Sequence, residues 1–334
     1  MPSRRQLIAA GLAAIATPAF AASGAAYRAA LEAAYGGPID PAVAHADALA
    51  AARAAQARAD VLLRGRGLST GSVAERLRAL QADPRFLYPD TEAGRDQAVA
   101  EMNARVAALR PRLQHAFGDL PLGEGRALRM SPADVAAGKG GYREAPADRP
   151  GAYYVDLRNI RARPAWTLTT VAFHEVIPGH LTQLPLQAAA HPPAERVKAA
   201  AAYFESWAIY AEQLCADLGA YAADPLGEIG YLQWRLFRLA RIVVDTGLGA
   251  MGWNHDRAIA AVRDLQGFDA AFITIEADVD RIAVTPGKYA AEGLGALALA
   301  HWRPKDQARW PAFHRAVLID GPWPFGELER RLQA

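Results

Sequence analysis

The sequence has almost no cysteine: Cys215 is the only one in 334 residues, so a disulfide scaffold is excluded. It also has no internal run approaching the roughly 20 apolar residues that a membrane-spanning helix needs, which excludes a polytopic membrane protein. A surplus of charge is missing as well. Lys and Arg number 37 against 35 Asp and Glu, and Arg4 and Arg5 account for the difference. The rest of the chain is neutral and offers no excess positive charge to a phosphate backbone, so nucleic-acid binding is not expected. Internal repeats and long low-complexity linkers are absent too. What is present is 52% hydrophobic and 22% charged residues, the composition of a soluble globular protein with a sizeable core.

Residues 1–21 read as an export signal. Arg4-Arg5 precedes an apolar stretch from Leu7 to Ala16, followed by Pro18 and the small-x-small site Ala19-Phe20-Ala21. Ser3-Arg4-Arg5-Gln6-Leu7 is similar to a twin-arginine signal, so a periplasmic or secreted location is expected. No cysteine follows the apolar stretch, which argues against a lipid anchor.

The remainder predicts a mainly α-helical fold with a small β element. Helices are expected at Tyr27–Tyr35, Ala42–Leu63 and Ser72–Leu80, with alanine supplying propensity but only a thin apolar face. Thr91 is a credible N-cap. Ala98, Met102, Val106, Leu109 and Leu113 then recur at helical spacing and mark a core-facing stripe. Residues 118–150 are rich in Gly and Pro and read as irregular, Gly138-Lys139-Gly140-Gly141 as a loop. Residues 152–157 form the best strand. Helices are expected again at 166–177, 194–218, 227–246, 255–265, 269–283 and 289–300. The organisation read from this is a signal at 1–21, a helical region at 22–120, and a catalytic region at 121–334 packed with the preceding helices.

The chemistry concentrates in Phe173-His174-Glu175-Val176-Ile177-Pro178-Gly179-His180. His followed by Glu and a second His is similar to the zinc hydrolase helix H-E-x-x-H, whose histidines are four apart. Here they are six apart. An unbroken helix would rotate the second ring about 120° out of line and raise it about 9 Å. Pro178-Gly179 offers a break that returns His180 toward His174. The plain alternative is two unrelated histidines beside a helix stop. The next helix carries Glu205 and Glu212 among Trp207, Ile209 and Tyr210. Glu205 is the expected third ligand of one Zn2+ per chain, and Glu212, two turns on, a supporting acid.

These segments, with Arg241-Ile242-Val243-Val244-Asp245-Thr246-Gly247, resemble the bacterial domain-of-unknown-function family 885. That family looks like a relative of the zinc metallopeptidases with a glutamate third ligand, the gluzincins. The resemblance spans roughly residues 65–334 and implies a gluzincin-like core in a shortened member. Two departures lie on the presumed substrate side: Gly249 stands where a His is common, and Lys288, Tyr289 and Glu292 replace another pattern.

The reading is then an exported zinc hydrolase, by the resemblance a metallopeptidase cleaving peptide or other small amide bonds. Glu175 is the general base and Tyr289 a candidate oxyanion donor. Arg281 would bind a substrate carboxylate or else hold Asp278, and Lys288, beside Tyr289, is a further candidate substrate-binding residue. Tyr154 belongs to a strand expected to be an edge that pairs with substrate backbone. The alternatives are a non-catalytic binding protein on the same scaffold, or a zinc hydrolase of a non-peptide amide or ester. His314 reads equally as a support for the metal site or as a satisfied structural residue. His45, His115 and His191 read as surface residues, and Trp302, Trp310 and Trp323 as core.

Overall fold

Asp40 accepts hydrogen bonds from the amides of Ala42 and Val43, with Pro41 in the first turn, and so starts the long second helix. A computed structural model describes residues 24–146 and 149–334; the export-signal reading falls outside them. In chain order come α1 (Gly24–Tyr35), α2 (Pro41–Gly65), α3 (Val73–Gln81) and α4 (Glu92–Phe117). A small sheet region follows: β1 (Arg126–Arg129), α5 (Pro132–Ala136), β2 (Tyr142–Glu144) and β3 (Ala152–Val155). The site helices are α6 (Ala165–Glu175), α7 (His180–Ala189), α8 (Ala194–Ala199), α9 (Tyr203–Asp217) and α10 (Pro225–Ala250). The chain ends with α11 (His255–Leu265), α12 (Ile275–Ala283), α13 (Lys288–Trp302), α14 (Trp310–Leu318) and α15 (Phe325–Gln333). The fold is mainly helical with a small sheet, and no described helix is long and apolar enough to cross a membrane.

Helix α10 is the axis of the molecule. Its Ile229, Leu236, Ile242, Val243 and Val244 are buried. Helix α2 lies antiparallel along it: Arg58 meets Glu228 near one end and His45 Nδ1 lies 2.8 Å from the Thr246 hydroxyl at the other. The buried stripe of α2 is Ala44, Ala48, Ala52, Ala55 and Ala59, so the thin face seen in the sequence is what lets the two backbones approach. One continuous core runs from Tyr27 to Leu328, so the N-terminal helices and the site helices share a single interior.

Several local expectations are corrected. Residues 118–150 are less irregular than their Gly and Pro content suggests, because β1, α5 and β2 lie there. The 194–218 stretch is two helices, α8 and α9, and the helix expected to reach residue 177 ends at Glu175. The helix expected from 269 begins at Ile275, whose amide is taken by the Asp269 carboxylate. Helices α7, α14 and α15 were not foreseen. His45 is half-buried rather than a surface residue.

The strand order is β1-β3-β2, with β3 parallel to β1 and antiparallel to β2. Thus β3 is central, and Tyr154 does not lie on an edge strand. Both its neighbours are occupied, so its main chain is not open to a substrate. The outer side of β1 is covered too: the Asn103 side chain of α4 donates to Ala127 O and accepts from Ala127 N, both at 2.9 Å. The edge on the site's side is β2.

Candidate metal centre

Two helix ends and the face of a third helix build the centre. His174 occupies the last turn of α6, His180 is the first residue of α7, and Glu205 lies in the first turn of α9. The connection between the histidines depends on Gly179. A β-carbon there would sit 1.8 Å from the His174 carbonyl oxygen and 2.5 Å from that of Phe173, so only glycine lets the chain double back so tightly. Trp207 of α9 donates to Pro178 O at 2.9 Å and fixes the turn from the other side.

One ligand atom from each of His174, His180 and Glu205 lies within 4.8 Å of the other two. The His174 Nε2 is 3.5 Å from one Glu205 oxygen, and the His180 Nε2 is 3.4 Å from the other. Both rings are buried, yet the His180 Nε2 makes no hydrogen bond. An orphaned buried nitrogen is costly unless something else satisfies it. The Nδ1 atoms are engaged: His174 Nδ1 lies 2.7 Å from Glu212 Oε1, and His180 Nδ1 lies 3.3 Å from Gln183 Oε1. Protons on both Nδ1 atoms leave both Nε2 lone pairs facing the gap beside Glu205. Two imidazoles and a carboxylate, each steadied from behind, are a donor set that fits Zn2+.

The electrostatics point the same way. Burial opposes a charge on His174, but the Glu205 and Glu212 carboxylates outweigh it and push the imidazole up to about 9. Burial lowers His180. Burial would also favour a neutral Glu205, yet the two imidazoles hold it well below the ordinary carboxylate range. The centre therefore attracts positive charge, and a proton on His174 is one way to supply it.

Glu175 follows His174 and reaches the same cleft. It pairs with Arg143 of β2, whose guanidinium also lies 3.8 Å from Glu205. Burial raises Glu175, but the charges of His174 and Arg143 outweigh it and keep the carboxyl below its usual range. Arg143 pairs across the sheet with Tyr153, and both line the cleft. Tyr142 and Tyr154, one residue along, stack on each other, ring centroids 4.6 Å apart. The two-residue period of a strand thus takes Tyr154 away from the cleft and delivers Tyr153 instead, which corrects the substrate role expected for Tyr154.

The cleft, about 400 Å³, brings His174, Glu175, Glu205, Arg281, Lys288 and Tyr289 together, with His180 buried behind the first. Its far wall is α10, α12 and α13. Asp278 does not pair with Arg281. It takes Arg241 bidentately at 2.8 and 2.6 Å, which ties α12 to α10. Asp245 accepts from the amides of Gly287 and Ala290 at 2.8 and 2.9 Å and from the Tyr27 hydroxyl at 3.0 Å, anchoring the start of α13. Gly249 is glycine because the Tyr27 ring fills the space, 1.9 Å from where a β-carbon would be. His314 is structural: Nδ1 lies 2.7 Å from Ala116 O and Nε2 2.7 Å from the Tyr210 hydroxyl.

Sequence reasoning missed Arg143, Arg238 and Arg241 as cleft residues, while Glu292, read on the presumed substrate side, lines the cleft. Two arginines three apart inside the apolar run Leu236–Val244 were a readable signal, since a charge at a core position needs a partner. Burial, reinforced by Glu205, pushes Glu292 up to about 7.

Comparisons with known proteins place the chain. The family model described as "Bacterial protein of unknown function (DUF885)" matches residues 5–332. The solved structure of a "putative lipoprotein" from Colwellia psychrerythraea is similar at 30% identity with a TM-score of 0.82, covering 92% of this chain and 54% of that one. A second, a "putative lipoprotein of unknown function" from Shewanella oneidensis, shares the fold at 17% identity and TM-score 0.74, covering 92% of this chain and 59% of that one. The chain thus spans little more than half the length of these two proteins. No curated protein matches it. The chain belongs to the DUF885 family.

Proposed function

Starting from that membership, we propose that the protein is an exported zinc-dependent hydrolase of gluzincin type, acting on peptide or other small amide bonds. The observation that carries this reading is the convergence of two imidazole Nε2 atoms and the Glu205 carboxylate beside a further acid, Glu175. A purely structural site has no use for that further acid. Export is supported by the signal-like layout of residues 1–21 and by the two solved relatives, each described as a "putative lipoprotein".

His174, His180 and Glu205 would hold the ion. When bound there, Zn2+ supplies Lewis acidity toward water and a carbonyl oxygen. Glu175 stays ionised at neutral pH, takes a proton from water at its carboxylate and passes it to the leaving nitrogen. Arg143 orients Glu175 through the ion pair. Tyr289, buried on the opposite wall with its ring 4.7 Å from the Arg241 guanidinium, is placed to donate to a carbonyl oxygen as it gains charge. Glu212 fixes the His174 tautomer.

A second reading draws on that same Arg143–Glu175 pair: if the arginine never releases the acid, the cleft binds without turning over. One set of measurements decides. Purified protein should carry about one zinc per chain, as a three-ligand site requires, and His174→Ala should abolish it. Glu175→Gln should keep zinc and melting temperature but lose about a hundredfold or more in turnover on the best substrate of a peptide library. Full zinc with undiminished turnover in that variant would remove the mechanism. Wild-type protein that holds zinc yet cleaves nothing across peptide, amide and ester panels would favour the binding reading.

A further inference from the structure

The cleft's cations are unevenly neutralised. Arg143 is taken by Glu175 and Arg241 by Asp278. On the same wall as Arg241, neither Arg281 nor Lys288 has an ion-pair partner within 4 Å among the described residues. Arg238, one turn before Arg241, lies only within 3.8 Å of Glu212, and its buried Nε has no hydrogen-bond partner. Glu292 lines the same wall, but its carboxylate makes no ion pair within 4 Å among the described residues. The opposite wall, formed by β2 and α6, holds the metal ligand His174 and the acid Glu175. Three underused cations thus face the candidate centre across a cleft of small-ligand size.

Arg281 and Lys288 are exposed at the mouth of the cleft and Arg238 is largely buried; a guanidinium beside an ammonium is a receptor for a carboxylate. An aromatic lip adjoins them: Trp234 and Phe272 stack nearly parallel at 6.2 Å, and Phe272 is half exposed. Resting on the hydrolase reading above, the geometry points to a substrate that ends in a free carboxylate. Arg238, Arg281 and Lys288 hold that carboxylate, with an apolar last side chain against Trp234 and Phe272. The site would act on the C-terminal bond of short peptides or on acylated amino acids, not within long chains.

Binding tests this separately from turnover. Zinc-loaded Glu175→Gln protein is titrated calorimetrically with N-acetyl-alanyl-phenylalanine, with its C-terminal amide, and with an N-acetyl dipeptide amide ending in aspartate. The free acid should bind about tenfold or more tighter than its amide, the scale of charged hydrogen bonds. Adding Arg281→Gln and Lys288→Gln should cut that ratio about threefold or more, since only Arg238 is left to hold the carboxylate. Equal affinities, no binding of the acid, or a preference undiminished by the double change would overturn the inference. So would an aspartate-ending amide that binds as well as the free acid, because the cations would then read a side chain. A wild-type protein that prefers the acid yet cleaves nothing keeps this inference and sinks the hydrolase reading. One that cuts internal bonds, blind to the chain end, does the reverse.

Discussion

The Nδ1 of His174 lies 2.7 Å from a carboxylate oxygen of Glu212, the acid two helical turns beyond Glu205 on the same helix, so one helix supplies both a candidate ligand and a support for another candidate ligand. The pair is buried, and among the described residues only Arg238, at 3.8 Å, offers Glu212 a further charge. Replacing Glu212 with Gln keeps an acceptor for the Nδ1 proton but removes the charge that makes the ring a stronger donor to a metal. Zinc affinity, measured by competition with a chelator, should fall about 10- to 100-fold. An affinity within threefold of wild type would leave Glu212 as packing alone.

Gly179 offers a geometric test. A methyl group there would meet backbone atoms at 1.8–2.5 Å, and backbone cannot swing aside as a side-chain tip can. Gly179→Ala should cost about 3 kcal/mol or more of stability, at or above the upper end for overpacking, and should weaken zinc binding because His180 is displaced. Gly65→Ala is the matched control, with no atom within 4 Å of its added carbon. It should be neutral or slightly stabilising. A Gly179→Ala protein that melts like wild type and holds zinc would mean the histidines converge by another path.

His314 should make the fold acid-sensitive. Burial lowers it from 6.5 to about 4, the nearby Arg303 adding to that and the Ala116 carbonyl opposing it. Its Nδ1 donates to that carbonyl, so its Nε2 accepts from Tyr210 and the ring is neutral. The unfolded chain takes up this proton first. Stability is therefore full above about pH 6.5 and declines as the pH falls toward 4. Between pH 7.5 and pH 5 the contribution is about 2 kcal/mol. Denaturant unfolding at both values should show this slope in wild type, reduced by about that amount in His314→Gln. Equal slopes in the two proteins would show that His314 does not carry the effect.

Much of the centre was legible because its parts are local. The six-residue separation of the histidines demanded a break, Pro178-Gly179 offered one, and Glu205 and Glu212 stood out as acids in an apolar helix. The stripe from Ala98 to Leu113 likewise announced α4, and all five residues are buried. The sheet order was not legible. Strands of three or four residues hold too few positions to reveal a period, and nothing nearby in sequence says that β1 and β2 flank β3. Arg143 was hidden for the same reason. The partner of Asp278 was settled by the packing of α10 on α12, thirty-seven residues apart in sequence, where Arg281 had been the nearer candidate. Gly249 gained a meaning only once Tyr27 was seen lying over it.

The alanine stripe between α2 and α10 has a consequence for the cleft, although no residue of α2 lines it. Helix α10 is gripped on one side by those small side chains and presents Arg238 and Arg241 on the other. The stripe works as a shim. Thickening it by a single branched side chain is expected to shift Arg238 and Arg241, and with them the shape of the cleft. Selection on what fits the cleft can therefore act on residues that no ligand ever touches.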